Sequence, residues 1–258
     1  MHLQDKKITG ISFGIAILIV SFMGIINLYD NFFNLGLHEY GVYPRRVFGL
    51  IGIVTSPFIH STQSYAHLLN NSLPMFVLTW LLFYSYRTVA GKVFVFIYFT
   101  TGLLVWLFGR ESYHIGMSGV IYGLTSFLIT SGFYRKHMRI AGISLLVIFL
   151  YGSMIWGIIP LDPSISWEGH FFGLLSGVIM AIVYRKSGPQ PAKFKYEVEE
   201  ELGLEEYEDE YWLEKPEVTN ITETDDLDHN QPIRIHYTFI PTQPKVVNPY
   251  IDNSLEEE

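Results

Sequence analysis

Ser118 sits between glycines in Gly116-Met117-Ser118-Gly119, where an apolar stretch begins, and a second apolar stretch carries a lone histidine, His170. A hydroxyl and an imidazole are costly at membrane depth, so each asks for a reason. Paired, they would make a serine nucleophile and its general base. A serine at a helix start also lies beside backbone N–H groups that have no intrahelical acceptor, a ready site for an anion. A third apolar stretch opens with His67-Leu68-Leu69-Asn70-Asn71. His67 and Asn71 are four residues apart and share a helix face. Both donate hydrogen bonds, which suits an oxyanion site, where losing one donor costs about 100- to 1,000-fold in rate. Taken one at a time, these residues also have bland readings: Ser118 as a small packing residue, His170 bonded to a carbonyl, His67 and Asn71 as a structural pair.

Glycines flank the candidate groups. Gly116, Gly119 and Gly123 punctuate the serine helix, and Gly169, Gly173 and Gly177 form a four-residue ladder beside His170. Removing side chains lets two helices approach closely. Two glycine-faced helices packed together would bring Ser118 to His170.

The elements that must hold these groups are membrane spans. Apolar residues make up 49% of the 258-residue chain and charged residues only 16%, which is low for a soluble domain. A span needs about 20 apolar residues, and six candidates lie near 9–28, 65–85, 93–109, 117–134, 140–159 and 168–184. Residues 29–64 mix apolar side chains with Asp30, Glu39, Arg45, Arg46 and His60, the pattern of a long interfacial loop with a partly embedded segment around Val47–Ile59. A seventh span there is the alternative topology. Lys6 and Lys7 precede Ile8–Leu28, but that run is too long for a signal peptide core and no small-residue cleavage site follows, so it reads as a retained first span.

Charge divides the chain. Residues 1–185 carry a net +5 and residues 186–258 a net −13, which sets a basic membrane domain before an acidic tail. With six spans, Lys6, Lys7, Arg87, Lys92, Arg135, Lys136, Arg139, Arg185 and Lys186 share one side. The positive-inside rule then puts both termini in the cytoplasm and both Ser118 and His170 toward the outer face, and the expected location is the plasma (inner) membrane. The tail, with acidic runs at Glu199–Glu201 and Glu205–Glu210, has too little apolar surface for a core and is expected to be disordered, with one extended segment at Ile233–Ile240 as a docking peptide for a partner of unknown kind. The chain has no cysteine, which excludes disulfides, thiol catalysis and thiolate metal sites.

Three motifs together resemble the rhomboid intramembrane proteases: Gly116-Met117-Ser118-Gly119 followed by Tyr122, His67-Leu68-Leu69-Asn70-Asn71 as His-x-x-x-Asn, and Gly169-His170 followed by Gly173 and Gly177. The resemblance covers about residues 9–185. It implies an all-α, six-transmembrane-helix bundle and a Ser118–His170 dyad acting through an acyl-enzyme, with no acidic third member. It also implies an oxyanion site of His67, Asn71 and the Ser118 N–H, and Tyr122 packed on the His170 ring. Residues 159–167 would be a loop gating substrate entry. The substrates implied are transmembrane proteins, met in the lipid bilayer, with no metal, organic cofactor or nucleic acid. The rival reading is a non-proteolytic relative that binds membrane clients. Departures are the lack of a Trp-Arg pair in the first loop, where Arg45-Arg46 stands, and His60, seven residues before His67 and given no role. Glu168 is two residues from His170 and should not face it. Glu111 and His114 are expected to be solvated loop residues.

Overall fold

The computed structural model describes residues 3–188 apart from Lys136 and Ser164. Each predicted apolar stretch is a helix. The first, α1 (Leu3–Phe33), outruns its expected limits at both ends, and a long first loop of short helical turns follows. Within that loop the stretch from Val47 to Phe58 is a 3-10 turn, the single-turn α2 (Gly52–Thr55) and another 3-10 turn. At 1.5 Å per residue it rises about 18 Å, short of the roughly 30 Å needed to cross. It is no seventh span.

The main bundle continues with α3 (Tyr65–Ser85), α4 (Ala90–Phe108), α5 (Ser118–Arg135), α6 (Met138–Tyr151, prolonged by a 3-10 helix Gly152–Ile158) and α7 (Trp167–Val183). Local sequence explains the starts. Ser64 caps α3 by accepting from the Ala66 N–H at 3.2 Å, and His137 does the same for Arg139 on α6 at 3.2 Å. Among the described residues the backbone is helical with one isolated bridge, Val42 to His114, which ties the first loop to the turn before α5.

Four segments are long and apolar enough to cross a membrane: Lys6–Phe33, Tyr65–Ser85, Ala90–Phe108 and Met138–Ile158. α5 and α7 are the exceptions, and they carry the serine and the histidine. Twelve of the eighteen residues of α5 are buried, so it is the central helix, and its Ser, Thr and Gly content reflects contact with protein instead of lipid. The periphery does the opposite: Leu18, Phe32, Phe133 and Phe149 are 70–85% exposed, a surface suited to acyl chains. The protein is an all-α integral membrane bundle.

Between α5 and α7 the packing runs glycine to glycine. A Cβ on Gly173 would fall well inside contact distance of the Gly119 carbonyl, and one on Gly177 would do the same at Gly123. Ser126 adds a hydrogen bond across the seam to the Leu174 carbonyl at 2.8 Å. In lipid, where burial of apolar groups offers little drive between helices, such close approach and cross-helix bonding hold the bundle together. The first loop is anchored by Arg45 and Arg46: Arg45 Nη1 donates to the Gly109 carbonyl at 2.7 Å, and Trp106 Nε1 donates to the Arg46 carbonyl at 2.9 Å.

Candidate active site

Gly116 adopts φ +104°, a backbone conformation that favours glycine, and it turns the chain into α5 with Ser118 as the first helical residue. A Cβ there would also stand 2.8 Å from His67 Nε2, so the turn packs directly against the α3 histidine. The Gly116 N–H donates to the Ser56 carbonyl at 2.9 Å, which fixes the turn to the first loop.

His170 reaches Ser118 from α7: its Nε2 lies 2.8 Å from Ser118 Oγ. The other ring nitrogen, Nδ1, lies 2.8 Å from the Gly157 carbonyl. A carbonyl can only accept, so Nδ1 carries the proton and Nε2 presents its lone pair to the serine hydroxyl. That tautomer is the one a general base requires. Tyr122, one turn after Ser118, stacks on the imidazole with centroids 4.1 Å apart and planes 7° from parallel, and its hydroxyl donates to the Met154 carbonyl at 2.5 Å. Ring position is thus fixed on its face and at both nitrogens.

Gly157 escaped the sequence reading. A Cβ on it would strike the Tyr122 hydroxyl and come within 3.1 Å of His170 Nδ1. Its sequence setting, a glycine at the end of an apolar span, gives no hint of this, because the contact is made by two other helices.

His67 and Asn71 lie one turn apart on α3. Asn71 is buried, and its Nδ2 donates to the His67 carbonyl at 2.7 Å, leaving a second N–H on the same nitrogen. His60, left without a role by its sequence, is 1% exposed, with its ring centroid 5.0 Å from that of His67. Its Nδ1 faces the Phe58 carbonyl at 3.3 Å, and its Nε2 accepts from the Met117 N–H at 3.5 Å. Asn27 of α1 donates to the His60 carbonyl at 3.1 Å. His60 therefore braces the residue that precedes the serine. Burial chiefly, with the neighbouring His67 second, pushes it down to about 4.

A second cluster closes the site beside α7. His114 is buried, contrary to the expectation of a solvated loop residue: its Nδ1 lies 2.6 Å from Ser166 Oγ and its Nε2 3.0 Å from the Arg110 carbonyl. Burial holds its pKa below the ordinary value. Arg110 donates to the carbonyls of Pro163 at 2.8 Å and Ile165 at 2.6 Å, so the turn before α5 grips residues 159–167. Glu168 turns away from His170 toward Arg110, its Oε1 accepting from the Arg110 N–H at 3.3 Å and lying 3.7 Å from Nε. Glu111 is exposed as expected and pairs with Arg45 at 3.7 Å. A cavity of about 40 Å³ lies between these groups, lined by Ser118, Gly119, His114 and Ser166 among others, large enough to hold water.

The comparisons with known proteins agree with this architecture. The Rhomboid domain model matches residues 47–187, from the embedded part of the first loop to the end of α7. Uncharacterized proteins of Mycobacterium tuberculosis and Mycobacterium bovis are each 34% identical over 186 residues, covering 66% of this chain and 73% of theirs. One of Mycobacterium leprae is 30% identical over 188 residues, covering 68% of this chain and 72% of its own. The chain belongs to the rhomboid family, integral membrane proteins of the intramembrane-protease type that act on transmembrane proteins.

Proposed function

We propose that the protein is an active intramembrane serine endopeptidase that cuts peptide bonds in or near the transmembrane segments of other membrane proteins. The carrying observation is the 2.8 Å contact between Ser118 Oγ and His170 Nε2, with Nδ1 held by a carbonyl so that Nε2 is the acceptor. Ser118 Oγ attacks the scissile carbonyl carbon while its proton passes to His170 Nε2. The oxyanion is met by the Ser118 N–H, the His67 ring and the second N–H of Asn71. His170 then returns the proton to the departing amine, leaving an acyl-enzyme. A water, deprotonated by the same nitrogen, releases the second product and restores Ser118. The Gly157 carbonyl supports the imidazolium in the role a buried carboxylate fills in a triad.

Substrates would be single-span proteins with small, helix-destabilising residues, because a stable helix hides its peptide bonds. Residues 1–185 form the membrane domain, with six spans, both termini cytoplasmic and Ser118 toward the outer face of a plasma (inner) membrane. Residues 186–258 form an acidic cytoplasmic tail that docks a regulatory partner. Truncation at Ser187 is the check on the tail: substrate cleavage in cells should change, and an unchanged rate would dismiss a regulatory role.

Protease activity is tested with the purified full chain in detergent and a model transmembrane substrate. Wild type should cleave it and take a fluorophosphonate label, while Ser118→Ala and His170→Ala should lose at least about 1,000-fold in rate. No cleavage and no Ser118 label in the folded wild type would sink the proposal.

A further inference from the structure

α3 places a polar side chain where the rest of its outer surface is hydrocarbon. Four amides lie in the four long apolar segments: Asn27, Asn31, Asn70 and Asn71. Three of them donate hydrogen bonds within the protein, Asn27 to the His60 carbonyl, Asn31 to the Tyr65 hydroxyl and Asn71 to the His67 carbonyl. Asn70 is the exception. It is exposed, and among the described residues its side chain makes no hydrogen bond. Its neighbours Ala66, Leu69 and Leu73 are exposed too, the two leucines at 65% each. The backbone is interrupted at the same residue. Pro74 lies inside α3 and has no N–H, so the Asn70 carbonyl lacks its helical donor four residues on. A side-chain amide and a carbonyl are thus both left open at one point, in a setting where an unmet polar group is costly.

Asn70 also stands at a boundary. At 3.6 residues per turn it lies about 60° round the helix from His67 on one side and about 60° from Leu73 on the other. His67 packs on the Gly116 turn that leads to Ser118, whereas Leu73 is exposed. A peptide that comes to the serine from the hydrocarbon beside α3 therefore meets Asn70 before it meets His67. The chemistry that fits there is that of a peptide backbone. A side-chain amide holds a donor and an acceptor side by side, and one residue of an unwound helix leaves the same pair open, its N–H and its C=O. An intact helix offers neither, because its own ladder uses them.

We propose that Asn70 is a specificity-determining residue that hydrogen-bonds an unwound turn of a substrate's transmembrane helix. Its Nδ2 donates to a freed substrate carbonyl, its Oδ1 accepts from a freed N–H, and its own backbone carbonyl is a further acceptor. The role rests on the proteolytic reading, and it makes a break in the substrate's helix the feature that α3 reads.

Binding is measured apart from cleavage, with full-length Ser118→Ala in detergent and two fluorescent transmembrane peptides. The peptides share one sequence, except that one carries a Gly-Gly pair in its span and the other Leu-Leu. The Gly-Gly peptide should bind about tenfold tighter. Adding Asn70→Leu should remove that advantage and leave the Leu-Leu peptide unaffected, and Asn70→Gln, which keeps the amide, should recover most of it. Leu69→Val, on the exposed surface of the same helix, should change neither. Equal binding of the two peptides by the parent would overturn the proposal. So would an Asn70→Leu effect of the same size on both peptides or on neither, the latter being the result if only water or lipid headgroups meet Asn70. The side chain has no partner among the described residues, so its loss takes no bond from the fold, and Asn70→Ala repeats the truncation should leucine disturb the packing. Wild-type cleavage is scored separately. Asn70-dependent binding without cleavage would refute proteolysis alone, and cleavage with binding indifferent to Asn70 would refute only the role of Asn70.

Discussion

At the scale of single residues, the proposed catalysis would depend on groups that hold His170 and the serine turn and never touch substrate. Gly157→Ala is the sharpest probe, since the added methyl must displace either the Tyr122 hydroxyl or the His170 ring. A shift of about 1 Å in a positioned group costs on the order of 100-fold, so Gly157→Ala should reduce cleavage by roughly that factor while the purified protein keeps its helical circular dichroism and melting temperature. His60 invites a pH experiment. Its folded pKa is depressed to about 4, so between pH 6.5 and 4 the unfolded chain binds the proton that the folded chain refuses, and stability falls as pH falls. From pH 7 to 4 this one group should remove about 3 kcal/mol. Urea denaturation in detergent should show His60→Gln losing that much less than wild type over the same interval, and parallel pH profiles would exclude the effect. Ser118, His170, His67 and Asn71 stand out as candidates in the sequence because polar groups at membrane depth are conspicuous against apolar neighbours. Gly157 and His114 do not. A backbone carbonyl that orients an imidazole leaves no side-chain signature, and the burial of His114 depends on Ser166 fifty-two residues away.

At the scale of elements, the α5–α7 seam is the part with least tolerance. Gly173→Ala would drive a methyl into the Gly119 carbonyl and part the two helices that bear the serine and the histidine. Overpacking of this kind costs about 1–3 kcal/mol, so the variant should melt earlier in detergent and also lose cleavage activity. Gly142, on exposed α6, has nothing within 4 Å of an added Cβ, and Gly142→Ala should melt at or above the wild-type temperature because alanine favours helix by about 1 kcal/mol. A wild-type melt in Gly173→Ala would show that the seam can yield. The glycine spacing announced this packing, and hydropathy located every helix to within a few residues except α1. What hydropathy could not convey is that α5 is central: its reduced apolarity reads as a weak span until neighbours on all sides are known. The first loop was harder still, because its short turns are set by distant anchors such as Arg45 on Gly109.

At the scale of the whole molecule, charge sorts the two ends of the bundle. The end holding Ser118 carries Arg45 with Glu111 and Arg110 with Glu168 in compensating pairs. The opposite end concentrates Arg87, Lys92, Arg135, Arg139, Arg185 and Lys186 in or beside short connections, whose described residues include no acidic one. Short basic connections stay on the cytoplasmic side during insertion, so this asymmetry predicts that the serine faces the opposite, outer side. The absence of cysteine from the sequence makes the orientation directly measurable, since an introduced thiol is the only one present. Glu111 and Lys186 are both exposed and lie beside the site and at the end of α7, respectively. In intact cells a membrane-impermeant maleimide should label Glu111→Cys and spare Lys186→Cys, and permeabilisation should make both reactive. The reverse pattern would turn the protein over, with Ser118 opening to the cytoplasm and the basic end facing out. Labelling of both in intact cells would place the two ends on one side, which no six-span arrangement of these helices allows.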